Sequence, residues 1–236
     1  MSPDPVASAD QEHVAVPAGR LRRSTLEGFA RLTVGGTVSD ATRARCADLG
    51  LVDAAGQPVD ELVPLGTTVA DPIADIALLR ASAGDLAEVH GWWRPELCVL
   101  HTDARDPEAP APYVLVGART LPQAVLQALA VPDRGAAPGP IRLDDVDGVL
   151  DVARRSGPTW AGSTGAEHPS QLVLHRWDIA TPDRAAAVIR AVVSAPDGLR
   201  VLRHDERGPT LVPTDLAAEE LELASVTELL LRVSAG

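Results

Sequence analysis

The sequence predicts an α+β domain: a mixed or antiparallel central sheet, flanked by helices and built from two quasi-repeated halves. Three observations lead there. Short β-type runs bounded by Gly, Pro and Asp turns are interspersed with segments of helical apolar spacing. The order strand, connection, strand, strand, helix occurs twice. The stretch "LCVLHTD" at 97–103 also aligns without a gap on "LRVLRHD" at 199–205, sharing Leu, Val, Leu and Asp.

Residues 1–20, acidic and Pro-rich, read as a disordered lead. A single domain is then expected over 21–236, with halves 21–133 and 141–236. A helix is expected at 24–32, and Ser39 is placed to cap a second one ending at Gly50, a natural position after a helix C-terminus. The turn "DAAGQP" leads to a third helical stretch near 58–70. Strands follow at 73–81, 96–102 and 113–118, and Thr120 is placed to cap a helix whose Leu121, Val125 and Leu129 share a face.

The second half is expected to open with a helix at about 143–155 and a Gly/Ser/Thr-rich link at 156–170. In "QLVLHRWDIA" strict alternation puts Val173, His175, Trp177 and Ile179 on one face, with Arg176 and Asp178 on the other. Thr181, Pro182 and Asp183 form a helix start before Ala185, Val188, Ile189 and Val192 at helical spacing, although a second hairpin would also fit there. "LRVLRHD" and "PTLVP" read as strands. A closing helix carries a capping-box pattern at Ser225 and Glu228 and an apolar stripe of Val226, Leu229, Leu230 and Val233.

The totals exclude several classes of function. With 236 residues, 45% of them hydrophobic, the chain can bury a real core. It has no lysine at all, its 21 basic residues being arginine, in a composition typical of a high-GC genome. A P-loop, a pyridoxal-phosphate Schiff base and a protein-kinase site each need a lysine. Net charge is −12, which opposes binding to phosphate backbones. Three short helices near the start superficially suggest a winged helix, but that acidity argues against nucleic acid. The N-terminal stretch has no apolar signal region, and no run reaches the ~18 apolar residues of a membrane span, so a cytoplasmic protein without membrane insertion is expected. Cys46 and Cys98 lack CxxC spacing and read as reduced, buried thiols.

No catalytic or metal motif emerges, and neither an enzyme nor a cofactor is expected. The histidines at 13, 90, 101, 168, 175 and 204 are scattered without HxxxH spacing. His101, Asp103 and Asp106 in "HTDARD" could approach a metal, but a solvated loop is the simpler reading. "DDVDG" at 144–148 fails the calcium-loop pattern, and "GSTG" at 162–165 lacks the spacing of a nucleophile elbow. His175 and Asp178, on opposite strand faces, cannot form a local dyad.

Surfaces remain. Trp and Arg are enriched at binding hot spots, and this aromatic-poor chain places Trp92 and Trp93 side by side before Arg94 and Pro95. Neighbours in a strand point to opposite faces, so either a turn breaks the alternation or one indole serves a partner. Trp177, beside Arg176, raises the same question, though it lies on the apolar strand face.

The layout of "RCADLGLVDAAGQPVDELVPLGTTVADP", the strands after it, the "LPQAVLQAL" helix and the closing "LVPTD…LELASVTELLLRV" resembles the EspG family, the ESX (type VII) secretion-associated proteins of actinobacteria, over roughly residues 24–234. The resemblance implies a cytosolic, chaperone-like binder. It would hold the tip of a helical-hairpin secretion substrate, PE/PPE or WXG100-like, against its central sheet. By position it implies contributions from the loop 103–112, with Asp103, Arg105 and Asp106, and from the final helix with Leu230. Trp92, Trp93, Arg94 and Trp177 complete the expected partner-binding set, one of the paired indoles closing the core and the other facing the partner. The alternative from charge alone is an immunity protein or inhibitor matching a basic toxin.

Overall fold

A computed structural model describes residues 16–82, 85–102, 109–131, 135–143, 171–180, 185–195, 197–206 and 208–235. Strand β1 (Val16–Leu21) is followed by helices α1 (Arg23–Thr33), α2 (Asp40–Asp48) and α3 (Val63–Ala70). A meander follows: β2 (Ala74–Ser82), β3 (Asp85–Trp93), β4 (Cys98–Thr102) and β5 (Ala111–Val116), closed by α4 (Leu121–Ala128). The second half has β6 (Ile141–Arg142), the meander β7 (Gln171–Ala180), β8 (Ala185–Ala195), β9 (Gly198–Asp205) and β10 (Gly208–Thr214), and then α5 (Leu216–Ser234).

These strands form one ten-stranded sheet in the order β1-β5-β4-β3-β2-β7-β8-β9-β10-β6, every ladder antiparallel. Read outward from the central β2–β7 ladder, the two halves have the same plan. Each is a four-strand meander, with the half's leading strand added outside the last one. The repeat expected from the order of elements is therefore present.

The gapless sequence match behind it is out of step. It places Val99 on Val201, yet Val99 packs with α1–α3 while Val201 packs on the opposite face with α4 and α5. A slip of one residue exchanges the two faces of a strand. Topology repeats here and residue register does not.

Both faces of the first half are covered, and this settles the tryptophan question. Trp92 and Trp93 lie inside β3, not at a turn before the next strand. Alternation is intact. Trp92 joins Leu26, Phe29, Cys46 and Leu65 beneath α1–α3, and Trp93 joins Leu100, Leu121, Val125, Trp177 and Leu230 beneath α4 and α5. The turn comes afterwards, where Arg94 and Leu97 exchange backbone hydrogen bonds of 2.9 and 3.2 Å around Pro95 and Glu96. A third buried group, Leu172, Ala191, Val193 and Leu211, forms on the second half of the sheet.

Local signals were read correctly at α1 and α2, where Ser39 accepts a hydrogen bond from the Thr42 amide at 3.2 Å. Cys46 and Cys98 are buried free thiols, and burial pushes the Cys98 thiol far up.

Three expectations are corrected and one open choice is decided. The lead expected over 1–20 contains β1 from Val16 onward, a strand held by its ladder to β5 (Val16 opposite Leu115, Leu21 opposite Ala111). Pro17 is tolerated there because an edge strand does not need every amide. Residues 185–195, for which the sequence leaves helix and hairpin both open, form strand β8, since hydrogen-bonded ladders on both sides and a Val/Ile-rich run outweigh the helical spacing. The closing helix starts at Leu216, capped by Asp215, whose carboxylate accepts from the Ala218 amide at 2.8 Å. Ser225 is mid-helix and donates back to the Leu221 carbonyl. Glu219, Leu223, Thr227 and Leu230 are the buried positions of this helix, while Leu229 is exposed. Finally, the Thr120 hydroxyl donates to the Gly117 carbonyl and caps nothing in α4. The helix expected at 143–155 falls outside the described residues from 144 onward, as do the link 156–170 and Asp103, Arg105 and Asp106.

Candidate protein-binding face

The sheet has one stretch where the described structure leaves its surface open. Helices α1–α3 lie over β3 and β4. Beside that layer β2 and β7 run side by side, and β8 follows; Leu79 and Leu174 are half-buried against the group of Leu172, Ala191, Val193 and Leu211, which begins on β7 and β8. Their outward positions alternate with core positions: Asp75, Ala77 and Leu79 against Ala74, Ile76 and Leu78; Leu174, Arg176 and Asp178 against Val173, His175 and Trp177. Ala77 and Arg176 are exposed, and Ile189 on β8 is 58% exposed. An open cavity of about 250 Å³ sits in this face, lined by Arg23, Ala77, Leu79, Glu88, His90 and Leu174 among others. The stripe Ala77, Leu79, Leu174 and Ile189 is apolar, and its border is charged.

The border is specific. Arg176 donates from Nε to Asp178 Oδ1 at 2.9 Å. Asp178 lies directly opposite Asp75 across the β2–β7 ladder, an unfavourable juxtaposition of like charges. Partial burial raises the Asp75 carboxyl above its ordinary range, His90 and Arg23 pull it down and Asp178 pushes it up. Arg23 Nη2 is 3.3 Å from His90 Nε2, and its guanidinium carbon is 5.8 Å from the Trp92 ring centre.

The expected partner-binding residues are placed differently. Trp92 is 4% exposed, and Trp93, Trp177 and Leu230 are 0% exposed, so none offers a side chain to a partner. Alternation was taken to leave one indole spare, but the sheet is covered on both sides at that point. Arg94 is held by Asp71, donating from Nη1 to its carbonyl at 2.5 Å and its carboxylate at 3.0 Å. It pins the α3–β2 connection.

Ala77, Leu79, His90, Leu174 and Ile189 were not singled out in the sequence. The available signal was the Arg176/Asp178 face of β7, recognised as polar but not as lying beside the outward face of β2.

His101 and His175 lie elsewhere. His101 is buried, its Nε2 2.9 Å from the Leu21 carbonyl oxygen. His175 is buried under α5, where its Nδ1 accepts from Trp177 Nε1 at 3.0 Å. Burial, and then the charge of Arg190, lower His175 to about 4, with Glu219 opposing. The sign of the consequence follows. Below the ordinary value of 6.5 the unfolded chain takes up a proton that the folded chain refuses until about 4. Stability is therefore expected to fall by about 3 kcal/mol as pH drops through that window. Urea unfolding midpoints at pH 7, 5.5 and 4 check this, and His175→Gln should flatten that part of the slope. Among the described residues no cluster of three or more His, Cys, Asp or Glu could hold a metal, and no helix is long and apolar enough to cross a membrane.

Fold and face together define a protein of two halves joined in one antiparallel sheet, with a partly open face and a cavity of about 250 Å³ beside the central β2–β7 ladder. This is the fold of the type VII secretion chaperone EspG5 of Mycobacterium tuberculosis, solved in complex with a PE25–PPE41 dimer. The match has a TM-score of 0.55, covers 93% of this chain and 96% of that one, and has 10% sequence identity. The resemblance noted from the layout of the sequence therefore holds at the level of fold. No family model and no curated protein matches the chain.

Proposed function

We propose that the chain is a cytosolic, non-enzymatic chaperone-like protein that holds a helical-hairpin secretion substrate of PE/PPE or WXG100-like type. The observation that carries the reading is the open central face: an apolar stripe containing a cavity of about 250 Å³, bordered by charged side chains. A helix laid on such a face buries its apolar ridge and satisfies polar groups at the rim. The cavity is below the roughly 300–1,000 Å³ of a small-molecule site and suits a single protruding side chain. Fold likeness to a chaperone solved with a PE–PPE pair adds weight to this class of partner.

The test is co-expression with a PE/PPE-like or WXG100-like pair from the same genome, followed by titration at moderate salt. Ala77→Asp with Ile189→Asp is expected to weaken binding at least 30-fold, while circular dichroism and melting temperature stay near wild type because both side chains are exposed. Full affinity in the double variant would remove this face. A complex with a folded basic protein that dissolves as salt rises would favour the immunity reading instead.

A further inference from the structure

We propose that His90 is a proton-controlled latch on Arg23 at the mouth of the central cavity. When neutral it holds the guanidinium beside Trp92; when protonated it turns to the Asp75 carboxylate and releases Arg23.

The geometry requires two exclusive arrangements. A guanidinium can only donate, so the 3.3 Å contact from Arg23 Nη2 uses His90 Nε2 as a bare acceptor. A proton on Nε2 would set donor against donor and charge against like charge. The same nitrogen is 4.0 Å from Asp75 Oδ1, too long for a hydrogen bond now and within reach of a small ring rotation. The imidazole already packs edge-on against Trp92 at 4.8 Å between ring centres, which leaves the indole as a pivot.

The surrounding charges favour the second arrangement once the proton arrives. Among the described residues, α1 brings Arg23 with its partner Glu27, at 2.9 Å. Strand β2 brings Asp75, and β3 itself brings Glu88. Strand β4 brings His101 directly across the ladder, and β7 brings Asp178 with Arg176. The Asp75 and Asp178 carboxylates face each other across the ladder; burial is the main cause that raises the Asp75 carboxyl, Asp178 adds to it, and His90 and Arg23 oppose it. An imidazolium turned toward Asp75 adds a positive charge that offsets the repulsion from Asp178.

Histidine is the side chain whose ordinary titration falls between pH 5 and 8. If the face holds a secretion substrate as proposed above, release of Arg23 alters the cavity rim in the same pH range, and the complex becomes pH-sensitive.

The experiment uses the free protein and needs no partner. Histidine ring Cε1–Hε1 and arginine Nε–Hε resonances are followed by NMR from pH 8 to 5. The Arg23 resonance is expected to move with the same midpoint as His90. Asp75→Asn should lower that midpoint by roughly half a unit or more. His90→Gln should leave Arg23 insensitive to pH. An Arg23 resonance that stays still while His90 titrates would overturn the latch, as would an unchanged midpoint in Asp75→Asn. A second arm titrates the helical pair at pH 7.5 and 5.5 against wild type and His90→Gln. Failure of any pair to bind would sink the proposed function and leave the latch result standing. Binding with equal pH dependence in both proteins would remove His90 from the regulation of that site.

Discussion

Truncating Trp92 and Trp93 together to alanine is expected to unfold the domain, not to leave a folded protein with a weaker binding surface. The two indoles fill separate cores on opposite faces of the sheet, at 4% and 0% exposure. Each truncation of a buried Trp costs about 3–5 kcal/mol, and sites in different cores add. The sum of about 6–10 kcal/mol reaches the total stability of an ordinary domain. The packing around them has little slack: a Cβ on the adjacent Gly91 would lie 2.7 Å from Leu100 Cδ2 and 3.0 Å from Ile76 Cβ. Urea denaturation of Trp92→Ala and Trp93→Ala singly checks the magnitudes, with Trp92→Phe and Trp93→Phe as milder partners. A cooperative transition of the double variant at the wild-type midpoint would contradict the burial described here.

The second large effect is expected at the attachment of α5. Glu219, 1% exposed, receives Arg190 through both guanidinium arms, at 2.6 and 2.7 Å, and the Thr214 hydroxyl at 2.6 Å. Arg190 also approaches Glu222 at 3.6 Å. Because the pair is buried, removing one partner strands the other charge, at a cost of about 3–5 kcal/mol. Glu219→Ala or Arg190→Ala should therefore lower the melting temperature markedly and speed hydrogen exchange along α5. The double replacement Arg190→Met with Glu219→Leu should recover much of the loss, because it removes both desolvated charges at once. Equal melting temperatures for the single and double variants would argue that the pair contributes only packing.

The open face and the buried pair were legible in the sequence to different degrees. The β7 alternation correctly separated Trp177 and Ile179 from Arg176 and Asp178, because a strand's two faces follow from its period alone. The cap at Ser39 was equally local: a side-chain oxygen meets an amide three residues on. Glu219 and Arg190 are 29 residues apart, and nothing in either segment announces the other.

Composition and local pattern were enough for the class of the fold, the doubling of its plan, and the chemistry that a chain without lysine and with a charge of −12 cannot carry. Tertiary structure alone decided which strand faces are covered. It buried both members of the Trp92–Trp93 pair and held 185–195 as a strand between two ladders. It also left Ala77, Arg176 and Ile189 exposed on the central face, with Leu79 and Leu174 half-buried, and set a cavity beside Ala77, Leu79 and Leu174. Period assigns a side chain to one side of a sheet. Whether that side meets a helix or water depends on contacts between segments distant in the chain.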